Sequence, residues 1–207
     1  MSDTLRTKIQ NPLNDEPNNP VDWPLTPLKC DLASPNTDWP RSWRLVRLRG
    51  LDPDLTSFSL SLLWGILPTR ARLNRMMPLT NPSPNCLLCG PAIVPETHQH
   101  ALGPCEANQG LPDRLLRLLR IYQPGAEQQQ LLTLDLSLDP SQELPITRTI
   151  CSLLFSIWRQ RGKGQVTMAS TRSELEAKCR LLHEGKVTPL KNAFTQTNSI
   201  LGELFRP

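Results

Sequence analysis

No run of about eighteen consecutive apolar residues occurs in the chain, so no segment is expected to cross a membrane as a helix. The opening decapeptide, MSDTLRTKIQ, is acidic and polar without an apolar core, which argues against a secretory leader. There is no Gly-rich phosphate loop, no His-Glu-x2-His helix and no nucleophile–base pair, so the catalysis those patterns serve is not expected. Apolar residues are scarce too. They make up 38% of 207 residues, whereas the 21 prolines are about twice the usual share, so a sizeable part of the chain should not be packed core. Six cysteines could suggest disulfides, but three fall in one short cluster, and Cys30, Cys151 and Cys179 are far apart. That distribution suits a reducing, intracellular compartment, nucleus or cytoplasm.

What the chain does contain is unevenly spread. Residues 1–40 hold seven prolines among Asn, Asp, Ser and Thr, lack apolar periodicity and are expected to form a disordered lead-in. Asp-Trp-Pro occurs twice there, at 22–24 and 38–40, and Trp23 and Trp39 could dock on the folded part. Residues 41–50, RSWRLVRLRG, read as a basic arm, helical or extended, able to grip phosphates while an indole stacks on a base. The formal charge is +4 overall, yet over residues 41–75 seven arginines face only Asp52 and Asp54, a local excess of +5. That asymmetry points to a polyanionic partner, because the planar guanidinium engages phosphate bidentately.

The rest reads as helical. Asp52-Pro53 opens a helix to about Gly65 with Leu55, Phe58, Leu62 and Ile66 on one face, and Trp64 is expected in the core. Thr69 caps a second helix over 70–77, with Leu73, Met76 and Met77 inward and Arg70, Arg72 and Arg75 outward. Pro112 starts a helix to Tyr122 bearing a stripe of Arg114, Arg117 and Arg120 opposite Leu115, Leu116, Leu118, Leu119 and Ile121. The alternation from Leu132 to Leu138 has no partner strand and is expected to lie extended on the helices. Pro145 begins the strongest helix, in which Ile146, Ile150, Leu153, Leu154, Ile157 and Trp158 recur at helical spacing, with Cys151 as a small core residue. A capping box at Thr171 and Glu174 starts another helix, and Thr188-Pro189 the last, completing a small bundle.

The stretch around which the chain is organised is CLLCGPAIVPETHQHALGPC, residues 86–105. Cys86 and Cys89 at C-x2-C spacing can fold round one metal ion, and His-x4-Cys at His100 and Cys105 supplies the other two ligands of a Cys3His site. His98, two residues away, is a rival for the third position, although the His-x4-Cys spacing favours His100. Four protein ligands leave no open position for water, so one zinc ion per chain would be structural rather than catalytic.

With its surroundings this stretch resembles the zinc-binding segment that follows the polymerase in LINE-type (non-LTR) retrotransposon reverse transcriptases. The likeness rests on Trp64, Leu67-Pro68-Thr69, Arg72-Leu73, Cys86, Cys89, Glu96-Thr97, His100 and Cys105, and covers about residues 55–110. It implies a module that helps to hold RNA template or target DNA. The polymerase motif itself is missing: there is no Asp-Asp dipeptide, and the only tyrosine, Tyr122, lies in a helical pattern. Pro112-Asp113 and Glu176-Ala177-Lys178 match the letters of a nuclease found in some such elements, but the latter lies in a helical rather than a strand pattern. The expectation is therefore a mostly α protein without enzymatic activity of its own. It would have a disordered lead-in and basic arm (1–50), a zinc knuckle domain (51–110) and a helical C-terminal bundle (111–207). Arg44, Arg47, Arg70, Arg72 and Arg75 would contact RNA or DNA backbone. The competing expectations are a zinc-stabilised scaffold for a protein partner and a retroelement remnant without function.

Overall fold

The structure is a computed structural model that describes residues 36–89, 94–164, 166–167, 169–173 and 200. It is mostly helical: α1 (Trp39–Val46), α2 (Pro53–Leu63), α3 (Arg70–Met76), α4 (His98–Leu102), α5 (Leu111–Tyr122), α6 (Gln128–Thr133) and α7 (Pro140–Gly162). No strand forms among the described residues beyond two isolated bridges, Arg49 to Leu51 and Asn85 to Pro95. No described helix is long and apolar enough to cross a membrane.

The bundle is built round α7, which packs against α1, α2, α4 and α5. Its expected stripe is present: Ile146, Ile150, Leu153, Leu154 and Ile157 are buried, and so is Cys151, whose sulfur accepts a hydrogen bond from Ser59 Oγ at 3.2 Å. Thr147, Thr149, Ser152 and Ser156 are buried as well, so the helix is enclosed nearly all round, as befits a central element. It starts earlier than Pro145. Asp139 precedes it and Pro140 takes a first-turn position, where a missing N–H costs nothing. Pro145 lies inside and cannot bond the Ser141 carbonyl, but Ser141 is exposed and water can take that role.

One apolar cluster runs from Leu45 and Val46 through Leu55, Leu62, Leu102, Leu115 and Leu131 to Ile157 and Ile200, crossing both boundaries expected at residues 50 and 110. The basic arm is part of it. Asp38 caps α1 by accepting from Arg41 N at 3.1 Å, with Pro40 in the first turn, so the second Asp-Trp-Pro is a helix start. Trp39, Trp43 and Trp64 then form a ladder, 6.2 Å and 5.4 Å between successive centroids; Trp39 and Trp43 lie partly buried against the core, whereas Trp64, expected inside it, is half-buried and meets Trp43 instead.

Several apolar side chains expected inside are outside. Ile66 is 49% exposed, Met76 60%, Met77 47% and Ile121 67%. α3 buries none of its residues and is fixed by polar contacts: Thr69 Oγ1 caps Arg72 N at 3.4 Å, and Arg72 Nη1 donates to the Gly65 carbonyl at 3.2 Å. Leu131 and Leu132 are helical rather than extended, since Gln130 Oε1 caps Glu127 N at 3.0 Å and starts α6; only 135–139 continues as an extended segment, with Leu136 buried. Helix formation near Thr171 begins earlier than expected. Thr167 Oγ1 accepts from Ser170 N at 3.0 Å, while Thr171 is buried and donates to Gln160 Oε1 at 3.1 Å. Glu174, the Glu176–Lys178 pair, residues 1–35 of the lead-in with Trp23, and the last two helices apart from residues 171–173 and Ile200 lie outside the described residues, whereas 36–40 of the lead-in run into α1.

Candidate metal centre

The centre begins with a short antiparallel contact. Cys86 N donates to the Val94 carbonyl and Glu96 N to the Pro84 carbonyl, both at 2.9 Å, which brings the C-x2-C turn beside the Glu-Thr-x2-His run. Glu96, Thr97 and His98 of that run each have a task. Glu96 Oε1 accepts from Arg70 N at 3.4 Å and so holds the start of α3. Thr97 caps α4 by accepting from His100 N at 3.1 Å, fixing the backbone of the ligand residue itself. His98 is buried, with its Nε2 3.1 Å from the Leu67 carbonyl, so Leu67-Pro68-Thr69 and the second arm are tied together. Asn108, fully buried, donates from one amide nitrogen to the Ala101 and Gly103 carbonyls at 3.0 Å each, closing the turn that delivers Cys105.

Cys86, Cys89, His100 and Cys105 converge, their ligand atoms all within 4.8 Å of one another, a cluster that could hold a metal ion. Sγ of Cys105 lies 3.8 Å from that of Cys86 and 3.3 Å from that of Cys89, and Cys89 Sγ lies 3.1 Å from His100 Nε2. A disulfide needs about 2.05 Å between sulfurs, so these are free thiols. The position is taken by His100, while His98 is engaged with Leu67.

Sequence reasoning missed the fifth member. Arg161, in the last turn of α7, is buried and reaches into the cluster: Nη1 donates to Cys105 Sγ and Nη2 to Cys86 Sγ, each at 3.1 Å. Nη2 also pairs with Glu96 Oε2 at 3.1 Å, and Nη1 approaches Asn108 Oδ1 at 3.5 Å. Burial works against its charge, but the sulfurs and Glu96 more than offset that and hold Arg161 protonated. Burial alone would raise Cys105, yet the Arg161 bond carries it below the usual thiol range. Cys89, beyond the reach of Arg161, is pushed up to about 12 by burial and by its contacts with Cys105 and Cys86. Burial and the Arg161 charge lower His100, with Glu96 opposing, which favours the neutral imidazole that a metal requires. A metal ion entering this cluster would have to displace the Cys89 proton, which would couple its affinity to pH.

The arginines expected on a phosphate backbone differ in their surroundings. Arg44 is exposed but bound to Glu143 on α7 by two bonds of 2.6 Å, Arg72 is bound to the Gly65 carbonyl, and Arg70 is half-buried; Arg47 and Arg75 are exposed. Comparison with protein families, curated proteins and solved structures finds no match to the chain.

Proposed function

We propose that the chain is a zinc-stabilised nucleic-acid-binding module of the LINE-type reverse-transcriptase kind, without polymerase or other catalytic activity of its own. The observation that carries the zinc part is the convergence of three thiols and one imidazole within 4.8 Å. That soft, closed donor set suits tetrahedral zinc, whose thiolate bonds of about 2.3 Å place sulfurs about 3.8 Å apart. The 3.8 Å between Cys86 and Cys105 meets that spacing, and the two shorter contacts involve Cys89. Charge is consistent with a divalent ion: with three thiolates it carries one negative charge, against which the buried Arg161 is placed, shared with Glu96.

The nucleic-acid part rests on the resemblance and on the arginine excess over 41–75. Within that set, Arg47, Arg49 and Arg75 are exposed, Arg44 is exposed but paired with Glu143, and Arg70 and Arg72 are half-buried. The test is binding of the zinc-loaded chain to labelled RNA and DNA between about 50 and 200 mM salt, where counterion release shows itself. Arg47→Ala and Arg75→Ala should each reduce the salt slope by about one. Absence of binding at low salt, with zinc present, overturns this reading.

A second reading has its own observation. Ile66, Met76, Met77, Leu79 and Leu87, all between residues 66 and 87, are 47% to 97% exposed. Where such side chains join into one patch, apolar exposure marks a protein partner. A scaffold role predicts an association that changes little with salt and is lost on Met76→Ser/Leu79→Ser.

A further inference from the structure

Arg161 divides the three cysteines into two kinds. Its terminal nitrogens donate to Cys86 Sγ and Cys105 Sγ, and neither reaches Cys89 Sγ. A charge-assisted N–H···S bond draws density from the thiolate and must be given up when that sulfur attacks an electrophile. The same side chain covers Cys86 and Cys105 from the α7 side. Cys89 is itself buried, but at 6% exposed it is the least enclosed of the three, against 4% for Cys86 and 3% for Cys105, and it shares its turn with Leu87, which is 71% exposed.

Resting on the reading of the cluster as a zinc site, we propose that Cys89 is a modification site, the thiolate to which a soft carbon electrophile of the maleimide or enal class adds first, releasing the metal. The Cys89 sulfur gives an electron pair to the β-carbon, the C–S bond forms as the C=C π bond breaks, and water protonates the α-carbon. Nothing is oxidised or reduced. The ion exchanges an anionic thiolate for a thioether, a weak ligand, while Arg161 keeps its bonds to the other two sulfurs. Electrophile sensing is thereby confined to one of three otherwise similar ligands.

The experiment treats the full zinc-loaded chain with substoichiometric N-ethylmaleimide, follows zinc release with a chromogenic chelator and maps the adduct by peptide mass spectrometry. Counting is restricted to Cys86, Cys89 and Cys105. The expected result is adduct at Cys89 first, in step with zinc release. Arg161→Gln should accelerate reaction at Cys86 and Cys105 on the order of tenfold, as loss of a charge-assisted hydrogen bond implies, and erase the preference. In the cobalt-substituted chain, the same variant should move the thiolate-to-metal charge-transfer band to lower energy while the tetrahedral d–d bands stay. Equal reaction of all three cysteines in the wild-type chain, or first reaction at Cys86 or Cys105, overturns the proposal even if Arg161→Gln fails to fold. A chain that takes up no zinc overturns the zinc reading together with it.

Discussion

The guanidinium of Arg161 lies 3.1 Å from the sulfur of Cys105, across 56 positions of sequence. Through this contact the last turn of the central helix becomes part of the candidate metal centre, and the knuckle is tied to the bundle. Arg161 is one of three charged side chains by which α7 holds its neighbours. Glu143 takes Arg44 of α1, and Arg148 donates to the Gly50 carbonyl at 2.6 Å and pairs with Asp52 at 3.0 Å, fixing the link into α2. The helix thus provides the apolar stripe of the core and, from buried charged positions, the contacts that orient what packs on it.

Metal removal should therefore loosen the knuckle before the bundle. A ligand at 100 times its dissociation constant stabilises by about 2.7 kcal/mol, and chelation withdraws that term. We expect amide exchange to rise first at Cys86 and Glu96, whose N–H groups bridge the two arms of the knuckle, while α2 and α7 stay protected. Simultaneous loss of protection everywhere would show instead that the whole fold depends on the ion.

The two histidines should separate cleanly. His100→Ala removes a ligand and is expected to abolish stoichiometric zinc. His98→Ala should keep one zinc per chain and lower stability by about 1 kcal/mol, because it removes the imidazole contact to the Leu67 carbonyl while Thr69 N still donates to that oxygen. Zinc content and urea unfolding on the same samples check both halves, and loss of zinc in the His98 variant would reverse the assignment.

Acid stability carries a mark of the Arg44–Glu143 pair. The Arg44 hydrogen bonds hold the Glu143 carboxyl below the usual carboxylate range, against burial, which pushes it up. A depressed folded value stabilises above the unfolded value of about 4.3, and that contribution disappears as pH falls through the folded one. Glu143→Gln should cost about 1 kcal/mol near pH 7, no more because Arg44 is 54% exposed and can return to water, and the gap to wild type should close in acid. Unfolding free energies measured against pH for both chains decide it; a gap independent of pH would assign the effect to packing.

What could be read in the sequence and what could not follows from the range of the interactions. Cys86, Cys89, His100 and Cys105 lie within twenty residues, so their spacing alone carries the geometry. The Ile146–Ile157 stripe is a local period and was legible for the same reason. Arg161 was not, because an arginine in the last turn of an apolar helix looks the same whether it complements the helix dipole or binds two sulfurs. Met76 and Met77 misled because apolar residues at helical spacing usually face a core, whereas α3 is too short to build one and is held by Thr69, Glu96 and Gly65. The charge excess over 41–75 was counted correctly, but Asp135 and Glu143, far along the chain, neutralise Arg41 and Arg44.

Gly103 gives the sharpest link between backbone space and the metal centre. The space around it leaves no room for a side chain. An added Cβ would collide with the Gln99 carbonyl oxygen and with the Gln128 side chain. Gln128 can swing away, but the Gln99 carbonyl belongs to α4 and moves only with it, and α4 carries His100. Gly103→Ala should cost about 1–3 kcal/mol through overpacking and weaken zinc uptake by displacing the His100–Cys105 arm. Gly110→Ala is the control: with φ of 71° and nothing within 4 Å of its Cβ, it should cost about 1–2 kcal/mol of backbone strain and leave zinc affinity unchanged. If both variants lose stability equally and keep full zinc affinity, the arm is free to adjust and α4 does not determine where His100 stands.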